Sequence, residues 1–289
     1  NETGASGAVK FWGPYPYRSP FHSNSEQQEC QRALQHLEEV LMVEGPQTVA
    51  MIALETVVGT NGILVPPDGY LQGVREICNK HGIVMMCDEV MAGFGRCGEW
   101  FAVNKWNVTP DLICFAKGVN SGYIPLGGVV ISQKIADTFR DRVFPGGLTY
   151  SGHPLACAAA VASINIFKEE KIVEHARMLG KDVIGPALEK IKAKHPSVGD
   201  VRGLGVFWAI ELVKNRETRE PYVPFNASGP DAKPMMDLIV ACKERNLWPF
   251  THFNRIHVVP PCNTPVEDVK TGLAIIDEVL DIADKHCKN

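Results

Sequence analysis

The sequence predicts an α/β fold, a mostly parallel sheet in a large first domain (residues 1–172) followed by a smaller α+β domain (residues 173–289). Three observations predict it. Short continuous apolar runs alternate with stretches of helical periodicity through the first half, the pattern of buried strands joined by crossover helices. Three of those runs stop at or just before a charged residue, so the strands would present charge at one edge of the sheet. Beyond Pro196 the order changes to strands interleaved with fewer, longer helices, which reads as a separate layer. At 289 residues and 45% hydrophobic, the chain is long enough to bury two cores.

Each element has its own signal. After a loop rich in Pro and Tyr (residues 13–20), Ser25 precedes Ala33, Leu34, Leu37, Val40 and Leu41, whose helical spacing ends near Gly45 and Pro46. The run VAMIAL at 49–54 ends at Glu55 and reads as a strand buried on both faces. A helix over about 68–81 leads through Gly82 into IVMMC at 83–87, which stops at Asp88. LICF at 112–115 leads to Lys117, and GVVI at 128–131 forms a further strand before a helix near 133–140. From His153 the small residues Ala156, Ala158, Ala159, Ala160 and Ala162 suit close helix packing, with His153 itself at the helix start. An amphipathic helix over 172–195 is stopped by Pro196. Strands at 206–212, 247–250 and 255–259, with helices near 234–245 and 266–286, complete the chain.

Composition excludes several functions. Twenty-nine basic against thirty-three acidic side chains give a net charge of -4 without long runs of one sign, which argues against nucleic acid as a partner. The nine cysteines are scattered and none is set in a C-x-x-C pair, so they read as reduced thiols, and no metal site is expected. The apolar runs are too short to cross a bilayer. A cytoplasmic or organelle-matrix protein is the expectation.

In a parallel α/β sheet, ligands bind beyond the carboxyl ends of the strands, where Glu55, Asp88 and Lys117 would project together. A lysine at the lip of a buried strand is partly desolvated, which favours the neutral amine that forms a Schiff base with an aldehyde. A nearby aspartate would pair with the protonated ring nitrogen of pyridoxal phosphate. The same two charges would also suit a salt bridge that merely joins two strand ends.

Specific motifs separate these readings. DEVMAGFGR at 88–96 and PDLICFAKG at 110–118 resemble the class III pyridoxal-phosphate aminotransferases, the fold type I group that includes the omega-amino acid:pyruvate, ornithine and 4-aminobutyrate enzymes. LETVVGTNG at 54–62 followed by Pro66 and Pro67, TYSGHP at 149–154, VRGLG at 201–205 and the pair Pro260 and Pro261 extend the resemblance along essentially the whole chain.

The resemblance implies pyridoxal 5'-phosphate as cofactor. It makes Lys117 the lysine that carries it and moves the proton, Asp88 the partner of the ring nitrogen, and Val90 the residue packed on one ring face. Glu55 would lie near the substrate. Thr149 would reach the cofactor phosphate of a partner subunit, which implies a homodimer with shared sites. Relatives place a substrate-binding arginine three residues before the Pro-Pro pair; here that place is His257, and Arg255, on the same strand face, is the candidate carboxylate clamp. Arg96 would organise a loop or an interface, while Trp12, Tyr15 and Tyr17 would either line a substrate entrance or pack.

The family's phosphate-cradling loop and ring-stacking aromatic residue belong upstream of Asn1, so the N-terminal part is expected to be lacking here. The expected reaction is transfer of an amino group from an omega-amino acid, amine or taurine-like donor to a keto acid such as pyruvate. A decarboxylase or aminomutase using the same lysine, and a non-catalytic fragment, are the alternatives.

Overall fold

A computed structural model describes residues 5–287. Helix α1 (Glu26–Glu44) begins where Ser25 accepts a hydrogen bond from the Gln28 N–H, and it buries Cys30, Ala33, Leu37 and Leu41 along one face. Strand β1 (Met51–Glu55) follows. Helix α2 (Tyr70–His81) buries Leu71, Val74, Ile77 and Cys78, and ends at Gly82, whose φ of 69° suits a residue without Cβ. Strands β2 (Val84–Asp88), β3 (Leu112–Phe115) and β4 (Gly128–Ile131) complete a four-stranded sheet of order β1-β2-β3-β4. β1, β2 and β3 are parallel; β4 runs antiparallel against β3.

One expectation fails here. β1 and β2 are not covered on both faces in this chain. Ile52, Met85 and Cys87 pack against the helices, whereas Met51, Ala53 and Glu55 on the opposite face of β1 are exposed. An apolar run reports that both faces prefer burial, but the covering layer must come from somewhere, and α1 and α2 supply one side.

Short helix α3 (Gln133–Asp137) and the alanine-rich α4 (Pro154–Glu169) lead to α5 (Ile172–Met178) and α6 (Gly185–Lys194). His153 starts α4, its Nδ1 accepting from the Leu155 N–H. The single helix expected over 172–195 is interrupted by a wider π turn at Leu179–Ile184. Pro186, just inside α6, has no N–H to give the preceding turn. Gly180 in this turn lies so close to the Gly205 carbonyl that an added Cβ would sit 2.1 Å from the oxygen.

The second sheet contains β5 (Val198–Leu204), β6 (Phe207–Asn215), the short β7 (Glu220–Pro221), β8 (Phe250–His252) and β9 (Arg255–Val258), in the order β5-β6-β9-β8 with β7 on β6. Sequence periodicity misses β5, whose Gly199 and Gly203 dilute its strand character, and places β8 too early. Helices α7 (Lys233–Glu244) and α8 (Val266–Asp284), with α6, cover the face bearing Ile210, Leu212, Ile256 and Val258. On the other face, Phe207 and Ala209 join the core of the first sheet. Strand alternation thus assigns successive β6 residues to two cores. Arg96 ties the sheets together, donating from Nη1 to the carbonyls of Val206 at 3.2 Å and Pro260 at 2.6 Å, so its part is to organise the loop. All nine cysteines are free, and no helix among the described residues is long and apolar enough to cross a membrane.

Candidate active site

The parallel register brings three of the expected residues to one edge. Glu55 lies directly opposite Asp88, and Asp88 opposite Cys114, three residues before Lys117. Glu55 folds back on its own loop, its Oε2 accepting from the Gly59 N–H at 2.8 Å. Asp88 Oδ1 accepts from the Val90 N–H at 2.9 Å, which orients the carboxylate; no side chain among the described residues bonds its other oxygen. The salt-bridge alternative does not form: among the described residues neither Asp88 nor Lys117 has an ion-pair partner.

Lys117 differs from expectation in one respect. It is exposed rather than partly desolvated. β3 ends at Phe115, and the chain turns at once into a short 3-10 turn in which Lys117 has a φ of 41°. That left-handed backbone, uncommon for a lysine, carries the side chain off the strand axis to the wall of a large cavity. The cavity, about 1340 Å³, is bordered by Lys117, Val90, Arg96, Tyr123, Phe207 and His257, among others.

Behind Asp88, Glu89 is wholly buried and anchors the turn. Thr56 Oγ1 donates to it at 2.7 Å, and the Ala102 and Val103 N–H groups donate at 2.8 and 2.9 Å. Burial raises its pKa, offset in part by these donors. Its neighbours Asp88 and Val90 are therefore held by a fixed backbone. In the sequence, the signal for Glu89 is an acidic residue flanked by an apolar strand and a Gly-rich turn.

Arg255 lies elsewhere. Its Nε donates to Glu211 Oε2 at 3.3 Å, it is 9% exposed, and it does not border the Lys117 cavity. Glu211, directly opposite it on β6, also accepts from Arg202 Nη2 at 2.8 Å, from Arg18 and from the Tyr15 hydroxyl. Burial alone would raise the Glu211 pKa; Arg202, Arg255 and the hydrogen bonds from Tyr15 and Arg18 outweigh it and bring it down to about 2. A carboxylate in the middle of the apolar strand FWAIELV should have announced such a cluster. Tyr15 and Tyr17 pack here rather than at an entrance: the Arg202 guanidinium lies 5.0 Å from the centre of the Tyr15 ring and that of Arg219 4.9 Å from Tyr17.

His257, two residues along β9, is the residue of that strand that borders the cavity. Thr149 stands in an exposed turn away from the cavity, within a stretch, residues 141–150, that is exposed throughout.

A lysine amine, an oriented carboxylate and an apolar wall at the carboxyl edge of a parallel sheet define a protein built to hold a ring-bearing aldehyde cofactor. The chain belongs to the aminotransferase class-III family, which it matches over residues 9–280. It is 37% identical over 241 residues to the 5-aminovalerate aminotransferase of Pseudomonas aeruginosa, covering 82% of this chain and 53% of that protein. It is 42% identical over 191 residues to the putrescine–pyruvate aminotransferase of the same organism, covering 66% of this chain and 42% of that protein. The taurine:2-oxoglutarate aminotransferase of Bifidobacterium kashiwanohense, solved with pyridoxal phosphate and glutamate, superposes with a TM-score of 0.91 at 41% identity, over 97% of this chain and 62% of that one. The fold is that of the fold type I pyridoxal-phosphate transferases. The chain spans about half the length of the curated relatives it matches.

Proposed function

We propose that the protein transfers an amino group from a small donor, an omega-amino acid, an amine or a taurine-like compound, to a keto acid such as pyruvate, with Lys117 carrying pyridoxal 5'-phosphate. The observation that supports this most is Lys117 itself: an amine without an ion-pair partner among the described residues, set on a cavity wall at the same sheet edge as the oriented carboxylate of Asp88. The residues fit the cofactor. The Asp88 oxygen that no side chain bonds is available to hold the proton of a pyridinium nitrogen, and Val90 offers an apolar surface beside it in the same turn. When bound, the cofactor supplies an electron sink for the substrate carbon and stores the amino group.

The chain's own part is positional and acid–base. Lys117 would hold the cofactor's aldehyde carbon through its amine, and the same amine would serve as the base that takes a proton from the substrate carbon and gives it back. Asp88 keeps the ring nitrogen protonated, and Glu89 holds the turn that aims it. Glu55 contributes to the rim near the substrate. Thr149 would contact the cofactor phosphate of a second subunit in a homodimer. The exposed apolar residues Val143, Phe144, Leu148 and Tyr150 in the same stretch of chain support an interface there.

Borohydride reduction of the protein loaded with pyridoxal phosphate, followed by peptide mapping, tests the reading. The label is expected on Lys117; label on another lysine, or none, refutes it. Amino transfer should require a keto acid, and release of carbon dioxide in its place would assign a different reaction.

A further inference from the structure

A second cavity, about 600 Å³ in volume, lies against the turn at residues 93–99. It is separate from the Lys117 cavity but shares its walls. Arg96 borders the first cavity and Cys97 the second; Phe207 borders the first and Trp208 the second. On β6 this follows from strand alternation, because successive side chains leave opposite faces. Sites for small molecules usually occupy roughly 300–1,000 Å³, so the second cavity is large enough for one.

Trp208 sets the chemistry of its wall. The indole Nε1 donates to the Gly205 carbonyl at 2.7 Å. Gly203, paired with Trp208 across β5 and β6, and Gly185 at the start of α6 make room for the ring: a Cβ on either would lie 2.5 or 3.1 Å from an indole carbon. The indole is thereby fixed and its one polar atom is used, yet it is only half-buried, so it presents ring surface to the cavity. A ring held in this way stacks on another ring without losing rotamer freedom. Leu204 and Pro186 continue the apolar wall.

The rim is charged. Arg177 is paired with Glu99 at 2.8 Å. Lys105, Lys181 and Glu189 are exposed and have no ion-pair partner among the described residues. Lys105 Nζ lies 5.7 Å from the centre of the Trp106 ring, a contact that leaves its N–H groups free to donate. Two ammonium groups against one carboxylate leave a positive excess, which draws an anion and disfavours a cation.

We propose that this second cavity binds a small, flat aromatic ring carrying an anionic group, with the ring against Trp208 and the anion drawn to Lys105 and Lys181. An aromatic acid and a purine nucleotide share that chemistry. The site lies outside the Lys117 cavity and stands whether or not Lys117 carries the cofactor.

Calorimetric titration of the protein loaded with pyridoxal phosphate tests this with four probes. 2-Naphthoate and adenosine 5'-monophosphate carry both features, 2-naphthylmethanol has the ring without the charge, and inorganic phosphate has the charge without the ring. At least one of the first two is expected to bind at one site per chain, about fivefold or more tighter than either partial probe. The tighter of the two assigns an aromatic acid or a nucleotide. Replacing Lys105→Gln and Lys181→Gln together should weaken that binding by about 5- to 20-fold. Trp208→Leu should weaken it by about 5- to 100-fold, and Trp208→Phe, which keeps a ring, should recover most of the loss. Absence of binding by both ring-bearing anions, a partial probe that binds as tightly, or affinity unchanged in the lysine pair or in Trp208→Leu overturns the proposal. A probe held in the Lys117 cavity would ignore all of these substitutions. Both lysines are on the surface, so their variant decides the matter if Trp208→Leu does not fold.

Discussion

Replacing Glu211 by Gln removes the one charge that three guanidiniums share. Glu211 has no exposed side-chain surface, and Arg18, Arg202 and Arg255 all bond to it. Taking away one partner of a buried charged cluster costs about 3–5 kcal/mol, because the remaining charges stay buried and uncompensated. The pH dependence gives an independent figure. The carboxyl pKa falls from 4.5 to about 2 on folding, and 2.5 units correspond to about 3 kcal/mol. The sign follows from the depressed value: this stabilisation is complete above pH 4.5 and is lost as pH falls toward 2. At pH 3 roughly 2 kcal/mol of it has gone. Urea unfolding of wild type and Glu211→Gln should therefore differ by about 3–5 kcal/mol at pH 7, with the gap closing by about 2 kcal/mol at pH 3. A gap under about 1 kcal/mol at pH 7, or one that does not change with pH, would refute the ion cluster as the element that holds the first residues to the second sheet.

Two further outcomes follow from the backbone and the surface. Gly205→Ala should destabilise by about 3 kcal/mol, because φ is +54° and the new Cβ would lie 2.3 Å from Gly98 N and 2.5 Å from Cys97 C, both backbone atoms that cannot swing away; an unchanged urea midpoint would show that the loop yields. Thr149→Ala, on an exposed turn, should leave stability within about 0.5 kcal/mol while weakening pyridoxal phosphate binding. Mixed Lys117→Ala and Thr149→Ala protomers recover turnover only if each site draws on both subunits.

Much of the large sheet was legible because burial and strand length are written into local apolar runs, and its active edge because each run ends in charge. Register could then be inferred without contacts: Glu55, Asp88 and Lys117 converge because parallel strands end together. What escaped was set by long-range partners. The exposure of Lys117 depends on a turn with left-handed backbone that nothing in the residues Ala116-Lys117-Gly118 demands. The π turn before α6 depends on Pro186 meeting a helix already held between α5 and the second sheet.

Strand β9 shows where sequence periodicity stops and pairing takes over. Alternation places Arg255 and His257 on one face, and the guanidinium makes Arg255 the expected carboxylate clamp. β6 decides otherwise. Opposite Arg255 stands Glu211, which claims the guanidinium, and opposite His257 stands Ala209, which claims nothing and leaves room. A guanidinium is the stronger anion binder in isolation, but one already bonded to a buried carboxylate must give up that bond before it can take a ligand. Arg255 is thereby committed to holding β9 against β6 and the ion cluster, and its guanidinium is not free for a ligand.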